Sequence, residues 1–136
     1  MTANEKIVID AKDSVIGRIA SFAAKQALFG KSVVIVNCND ALITGRRNLI
    51  LETYSQMRRR GKGFQKGPIV PRVAEKLMKR TVRGMLAYTQ KRGEAALDRV
   101  MCYNQTPKEF ESVKKISLAR ELKTGVVKLG EIAKII

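Results

Sequence analysis

Residues 6–37 read KIVIDAKDSVIGRIASFAAKQALFGKSVVIVN and contain an amphipathic segment between two short apolar runs. The second run, residues 33–36, is continuous and β-branched, which suits a strand buried on both faces. Between the runs, apolar side chains recur at helical spacing over residues 15–28, and Gly30 is placed to end that helix. Together with the first run, residues 7–9, the pattern predicts a βαβ unit with parallel strands.

The residues around this unit predict a helix cap, a short strand and a second helix. Asp13 or Ser14 is expected to cap the first helix. Residues 42–44 predict a third, very short strand, and its pairing stays open because the gap after Asn37 is too short for a helical crossover. A helix is expected over residues 46–57. Its apolar face would contain Leu49, Ile50, Thr53, Tyr54 and Met57.

The C-terminal part of the sequence predicts further short elements. Residues 93–98 predict a short helix that leads into a candidate last strand at residues 100–103. Residues 106–109, TPKE, have the spacing of a capping box with Pro at the first helical position, so a helix is expected to start there. Residues 118–122 and 129–136 are expected to form short helical pieces that pack against the body.

Length and composition indicate one soluble domain over residues 1–136. Hydrophobic residues make up 45% of the chain, which is enough for a core and excludes a disordered basic tail. No apolar run approaches the roughly 20 residues that span a bilayer. The first ten residues carry Glu5 and Asp10 in place of the apolar block of a signal peptide. We therefore expect an intracellular protein.

The net charge of +15 is concentrated in the middle of the chain. Residues 58–93 contain 12 basic side chains and one acidic side chain, Glu75. Such a block repels itself in a compact state, and a polyanion relieves the repulsion and releases its own counterions on binding. A merely solvated basic face and an anionic membrane surface are the alternatives, but no Trp/Phe/Leu-rich insertion face adjoins the block. The charge pattern favours nucleic acid as the partner.

Two segments of the block form the predicted interface. Residues 58–67 indicate a Gly-spaced basic loop in which Arg can bind phosphate through two N–H groups. Pro71 opens an amphipathic helix over residues 72–86, whose five cations share a stripe of roughly 100°. Opposite them lie Ala74, Leu77, Met78 and Met85. The candidate binding residues of both segments and of the residues that follow are Arg58, Arg59, Arg60, Lys62, Phe64, Lys66, Arg72, Lys76, Lys79, Arg80, Arg83, Lys91 and Arg92.

The same residues indicate what kind of nucleic acid is bound. Phe64 can stack on an unpaired base, or it can anchor the loop to the body. The sequence has no helix-turn-helix signature, zinc finger or paired-aromatic motif that reads bases. Recognition of folded RNA by shape and backbone is therefore expected.

Cofactor and catalytic motifs are missing from the sequence. The chain has no His, which removes Ser/His/Asp and Cys/His nucleophiles. A dinucleotide fold needs three glycines after its first strand, and only Gly17 stands there. Cys38 and Cys102 lie outside any metal-binding motif and are interpreted as small buried hydrophobic residues. We expect no cofactor and no metal.

One catalytic alternative rests on three carboxylates. Asp10, Asp13 and Asp40 can meet at the carboxyl ends of adjacent strands and hold Mg²⁺ for phosphodiester cleavage. The structural interpretation is that Asp13 caps a helix, Asp40 lies in a turn and Asp10 pairs with a nearby cation. This interpretation is the one we favour.

Several segments, in order, resemble a single protein family along almost the whole chain. The matching segments are IVIDA (7–11), GRIA (17–20), VNCNDA (36–41), TGRR (44–47), RTVRGML (80–86) and KRGEAALDRVMCY (91–103). They are similar to the large-subunit ribosomal protein family conventionally numbered thirteen, in its archaeal/eukaryotic-type form. That family usually has Pro after its Gly-Met-Leu, where Ala87 stands in this chain.

The resemblance implies a fold, a function and two more binding residues. The implied fold is α/β, with three layers (α/β/α) around a small, mostly parallel sheet of about four strands. To this fold are added the basic loop 58–67 and a C-terminal helical extension, 106–136. The implied function is that of a cytoplasmic structural constituent of the large ribosomal subunit. Such a protein binds large-subunit rRNA during assembly and contacts neighbouring ribosomal proteins. It has no enzymatic activity, binds no membrane and has no small-molecule substrate. Arg46 and Arg47 join the expected rRNA contacts. An extraribosomal RNA-binding regulator would use the same residues.

Overall fold

The computed structural model describes residues 6–60, 70–120, 122 and 124–136. The strands in these ranges are β1 (Lys6–Asp10), β2 (Ser32–Val36), β3 (Leu42–Thr44), β4 (Val100–Cys102), β5 (Ile116–Ser117) and β6 (Val126–Lys128). The helices are α1 (Ile16–Leu28), α2 (Arg47–Arg59), α3 (Ala74–Gly84), α4 (Lys91–Asp98) and α5 (Leu129–Ile135), and 3-10 turns lie at Cys38–Asp40 and Lys108–Phe110. None of these helices combines the length and the apolar character that a membrane crossing requires.

A four-stranded sheet lies at the centre of the molecule, in the order β4–β2–β1–β5, and every neighbouring pair is parallel. β1 and β2 are in register from end to end, with Lys6 opposite Ser32 and Asp10 opposite Val36. β2 has a partner on each side, so residues 33–36 are no more than 3% exposed, as their continuous β-branched run predicts. The predicted βαβ unit and the mostly parallel α/β fold are confirmed.

The two faces of this sheet are covered by different elements. Ile9 and Ile35 point into the main core, which α1, α3 and α5 complete. Val8 and Val34 point to the opposite face and pack with Phe110 of the second 3-10 turn. α1 and α3 also pack against each other. The helix that carries the predicted cationic stripe therefore lies on the helical face of the sheet.

A second, two-stranded sheet gives residues 42–44 their partner. β3 pairs antiparallel with β6, with Leu42 opposite Lys128. A small apolar core of Ile50, Val127 and Ile132 joins α2, this sheet and α5. The confirmed short strand thus pairs with a segment more than eighty residues further along the chain.

The expected cap of α1 and the expected start of α3 are wrong. α1 begins after Val15, and no side chain caps it. Asp13 adopts a positive φ of 58°, and the hydroxyl of Ser14 donates to Lys12 O at 3.2 Å, so both residues form the turn before the helix. α3 begins after Val73, which leaves Pro71 outside the helix. In both cases the residues that predict a helix start lie in the segment that precedes the helix.

The helix expected from Thr106 is also wrong, because that side chain has a distant partner. Thr106 Oγ1 donates to the side-chain oxygen of Asn37 at 3.0 Å, and only the 3-10 turn Lys108–Phe110 follows. Residues 118–120 lie outside any helix. β4 is not the last strand, since β5 and β6 follow it.

Two apolar side chains that were expected to be buried are exposed. Leu49 is 62% exposed in the first turn of α2, while Ile50 is buried there. The apolar side of α2 is therefore centred on Ile50 and Tyr54. Met85 is 44% exposed because α3 ends at Gly84, so the helical period no longer places residue 85 against the core.

Candidate nucleic-acid interface

α3 has an apolar side on the core and a cationic side toward the surface. Leu77, Met78 and Val82 are no more than 2% exposed. The cationic side, which we call the α3 cationic face, consists of Lys76, Lys79, Arg80 and Arg83. These four residues line one open depression of 280 Å³, together with Pro71 and Leu97. The structure thus brings four of the five predicted stripe cations to one place, around a floor that is partly apolar.

The loop after β4 holds the first turn of α3 in position. The side-chain oxygen of Asn104 accepts a hydrogen bond from Glu75 N at 2.9 Å. The first backbone N–H groups of a helix lack partners within the helix, so this contact satisfies one of them from another part of the chain. Glu75, the one acidic residue of the basic block, lies in the first turn of α3, where a carboxylate is favourable.

The charged ends of the stripe are available to a ligand. Arg72 and Lys76 are exposed, and the other three cations are half-buried. Long side chains of this kind bury their aliphatic stems and keep their charges in water. Within the described ranges, Arg72, Lys76, Lys79 and Arg80 form no ion pair with a carboxylate. Their charge is therefore not neutralised by that part of the protein.

The turn between α3 and α4 adds a residue that the sequence did not single out. The guanidinium carbon of Arg83 lies 5.0 Å from the ring centroid of Tyr88, a cation–π contact. Lys91 and Arg92 follow in the first turn of α4 and are exposed. The available signal was a second aromatic residue within the basic block, in addition to Phe64.

A second depression, of 460 Å³, lies beside this turn. Its lining includes Arg92, Arg99, Leu28 and Met85. Arg99 donates to Ala27 O at 2.9 Å and so ties the end of α4 to α1. Of the two arginines, Arg92 is the predicted site residue and is exposed, whereas Arg99 has a structural partner.

The basic residues at the end of α2 divide into two kinds. Arg58 donates to Ile136 O at 2.8 Å and is half-buried, so it holds α5 against α2. Arg59 and Arg60 are exposed. The loop residues Lys62, Phe64 and Lys66 lie outside the described residues.

Arg46 and Arg47 lie at the other end of α2. Both are exposed, and Arg47 forms an ion pair with Glu131 of α5. Both line a depression of 380 Å³ with Asn48, Leu49 and Glu52. At 1.5 Å per residue, the two ends of α2 are roughly 18 Å apart. The structure therefore separates these arginines from Arg59 and Arg60.

Two of the three carboxylates of the catalytic alternative have partners within the fold. Asp10 accepts hydrogen bonds from the Asn37 amide and from Lys12 N, both at 3.0 Å. Asp40 forms an ion pair with Lys128 at 3.8 Å, and Asp13 is exposed in the turn before α1. Across the described ranges, no three His, Cys, Asp or Glu side chains are grouped so that they could hold a metal ion.

Comparison with known proteins identifies the family of this chain. The family model for ribosomal protein L13 matches residues 4–109. The chain belongs to the ribosomal protein L13 family. The matched residues include α2, the α3 cationic face and α4.

Relatives extend the L13 match over nearly the whole chain. A large ribosomal subunit protein uL13 from Picrophilus torridus is 38% identical over 133 residues, which covers 96% of each chain. The uL13 protein of Natronomonas pharaonis is 39% identical over 128 residues, 93% of this chain and 88% of the relative. That of Methanopyrus kandleri is 38% identical over 136 residues, 95% of this chain and 85% of the relative. The resemblance to the archaeal-type L13 family, drawn from the motifs, is confirmed.

Proposed function

We propose that this chain is a structural constituent of the large ribosomal subunit that binds and stabilises large-subunit rRNA during assembly. It would act in the cytoplasm, among neighbouring ribosomal proteins. The relatives that cover the chain are named as large-subunit proteins. The observation that carries the RNA-binding part is the α3 cationic face, whose four cations line one depression on the surface.

The chemistry of this face suits a phosphate backbone. Arg donates two parallel N–H bonds to phosphate, and Lys adds a compact positive charge. Such contacts position the protein on RNA without reading its sequence. Leu97 and Pro71 provide apolar surface between the cations, on which sugar and base edges can pack. The face therefore fits recognition by shape and charge.

The proposal assigns no catalytic step to this chain. Asp10 binds the Asn37 amide, and Asp40 pairs with Lys128, so two of the three carboxylates of the nuclease hypothesis have partners within the fold. The first contact joins the carboxyl ends of β1 and β2, and the second joins the 3-10 turn Cys38–Asp40 to the end of β6. This favours a structural role for the carboxylates.

Replacing Lys76, Lys79 and Arg80 together by Ala is expected to weaken binding to purified large-subunit rRNA. Each phosphate contact contributes roughly 0.7 to 0.9 to the slope of log affinity against log salt, so the slope should fall by about 2 to 3. The measurement is a filter-binding titration at several salt concentrations. Arg83 is kept in this variant because it also contacts Tyr88.

A matched control separates the α3 cationic face from total charge. Lys12, Lys108 and Lys114 are also exposed, and their replacement by Ala removes the same charge from other surfaces. In the control, the slope of log affinity against log salt should fall by less than half as much as in the first variant. Both variants should keep the circular dichroism spectrum of the parent. Equal losses in the two variants, or an unchanged slope in the first, would contradict the proposed interface.

The location in the ribosome is tested by co-sedimentation. The protein should sediment with purified large subunits through a sucrose cushion at high salt, because a built-in subunit protein makes many simultaneous contacts. A regulator that binds RNA away from the ribosome would stay in the supernatant. That result would overturn the ribosomal assignment and leave RNA binding intact.

A further inference from the structure

Tyr88 is an aromatic residue at the surface beside the α3 cationic face. It lies in the turn between α3 and α4 and is 47% exposed. The guanidinium carbon of Arg83 lies 5.0 Å from its ring centroid. The exposed part of the ring is therefore open to a ligand, while the Arg83 guanidinium contacts the ring.

The backbone of this turn is ordered by its own contacts. Tyr88 N donates to Leu86 O at 2.9 Å, and Gln90 N donates to Ala87 O at 3.0 Å. Gly93 of α4 packs so closely that a Cβ atom there would lie 1.9 Å from Ala87 O and 2.9 Å from Tyr88 N. The backbone that carries the ring is thus ordered before any ligand arrives, which lowers the entropy cost of binding.

Cationic residues lie before and after Tyr88 in the sequence. Arg83 also lines the depression of the α3 cationic face. Lys91 and Arg92 are exposed three and four residues after Tyr88. An exposed aromatic ring between cations combines the two features that bind single-stranded nucleic acid, a stacking surface and charges that hold the backbone.

We propose that Tyr88, supported by Arg83, is a stacking site for one unpaired base of bound RNA. The inference rests on the proposed function and adds a ligand class to it, since phosphate contacts alone require no unpaired base. Base–aromatic stacking tolerates any base, so the site would select for an unpaired nucleotide and not for a sequence. The Arg83 guanidinium strengthens the site by fixing the ring and by attracting the neighbouring phosphate.

The first test compares two RNA strands of equal charge. One is a twelve-residue oligoadenylate, and the other is a twelve-residue abasic ribose-phosphate strand. The parent protein should prefer the strand with bases, and Tyr88→Ala should reduce affinity for that strand by roughly 5- to 150-fold, with little effect on the abasic strand. Tyr88→Phe should keep the preference because it keeps the ring. All three proteins should show the same salt slope, since none of these changes alters charge.

The absence of Trp from the sequence allows a direct spectroscopic test. Tyr88→Trp would be the single indole of the protein, and stacking on adenine should quench its fluorescence while the abasic strand should not. Val113→Trp is the matched reporter, because Val113 is also exposed and follows the 3-10 turn that covers the opposite face of the sheet. It should respond equally to both strands.

The outcomes distinguish the stacking site from RNA binding itself. Equal affinities of Tyr88→Ala and the parent for oligoadenylate, or equal quenching of Tyr88→Trp by both strands, would overturn the stacking site. The α3 cationic face would then still account for a steep salt dependence. If, in addition, the affinity of the parent for purified large-subunit rRNA did not depend on salt, the proposed function would fail as well.

Discussion

At the carboxyl end of β2, Cys38 has no exposed surface, and its thiol lies among backbone and sulfur partners. It donates weakly to Ile35 O at 3.8 Å and shares a hydrogen bond with the Cys102 thiol. That hydrogen bond, followed by burial, raises the pKa of Cys38 far above its ordinary value of 9.0. Burial also raises the pKa of Tyr54 above 10.0.

The free energy of unfolding is expected to decrease as pH rises above about 9. In this range the unfolded Cys38 thiol ionises while the folded thiol stays protonated, so stability is full below pH 9.0 and is lost above it. The slope from one such group is about 1.4 kcal/mol per pH unit. Urea denaturation of the parent and of Cys38→Ala, between about pH 8 and pH 10, measures the difference in slope.

Tyr54→Phe is the control for this slope. The unfolded Tyr54 ionises around 10.0, so its removal should leave the decline below that pH unchanged. A parallel pH dependence for the parent and Cys38→Ala would show that the Cys38 thiol does not contribute.

Single residues also show why the candidate site could be predicted only in part. Arg47 and Arg58 are predicted rRNA contacts, and their partners within the fold, Glu131 and Ile136 O, lie 84 and 78 positions away. A sequence pattern cannot tell a cation that binds phosphate from one that binds a distant carbonyl. Tyr88 was not singled out from the sequence, because its contact with Arg83 forms across a turn.

Among the elements, α3 has the two sides that the sequence predicts, while its bounds differ from the predicted residues 72–86. Its apolar and cationic sides follow directly from the helical period, which needs no tertiary information. Its start does not follow from the sequence. Pro71 lies before the helix, and the acceptor for Glu75 N comes from Asn104, 29 positions further on.

Asn104→Ala is expected to destabilise the protein by about 1 kcal/mol, the typical cost of a lost helix N-terminal acceptor. Glu75 N would lose its partner, and the first turn of α3 would fray. The measurement is the midpoint of urea denaturation, with Asn104→Asp as the variant that keeps an acceptor. Gln105→Ala changes the exposed neighbour and should have little effect. If Asn104→Ala were as stable as Gln105→Ala, the contact would not hold α3.

At the scale of the whole molecule, three strands of the central sheet were predictable, whereas its fourth strand, β5, and the pairing of the second sheet were not. The βαβ unit is local, so the run of residues 6–37 contains the information that builds it. β3 has only three residues, and its register with β6 depends on a strand far along the chain. The helix predicted from the capping box at Thr106 does not form, because the Thr106 hydroxyl donates to the side chain of Asn37, 69 positions earlier.

Ile132→Ala is expected to cost about 2 to 5 kcal/mol, because a fully buried side chain would leave a cavity. Ile132 packs in the small core that joins α2, β6 and α5, so its loss should lower the stability of the molecule as one unit. Thermal denaturation followed by circular dichroism should show one transition at lower temperature. Ile135→Ala is the matched control, since Ile135 is 51% exposed on the same helix. Equal effects of the two changes would contradict the packing described.

The pairing of β3 with β6 has a consequence for how this protein is made. Residue 42 leaves the translation machinery long before its partner, residue 128, has been synthesised. At about 5 to 20 residues per second, that delay is roughly 4 to 17 s. During the delay the newborn chain exposes an unpaired strand, which is the kind of segment that aggregates or recruits chaperones.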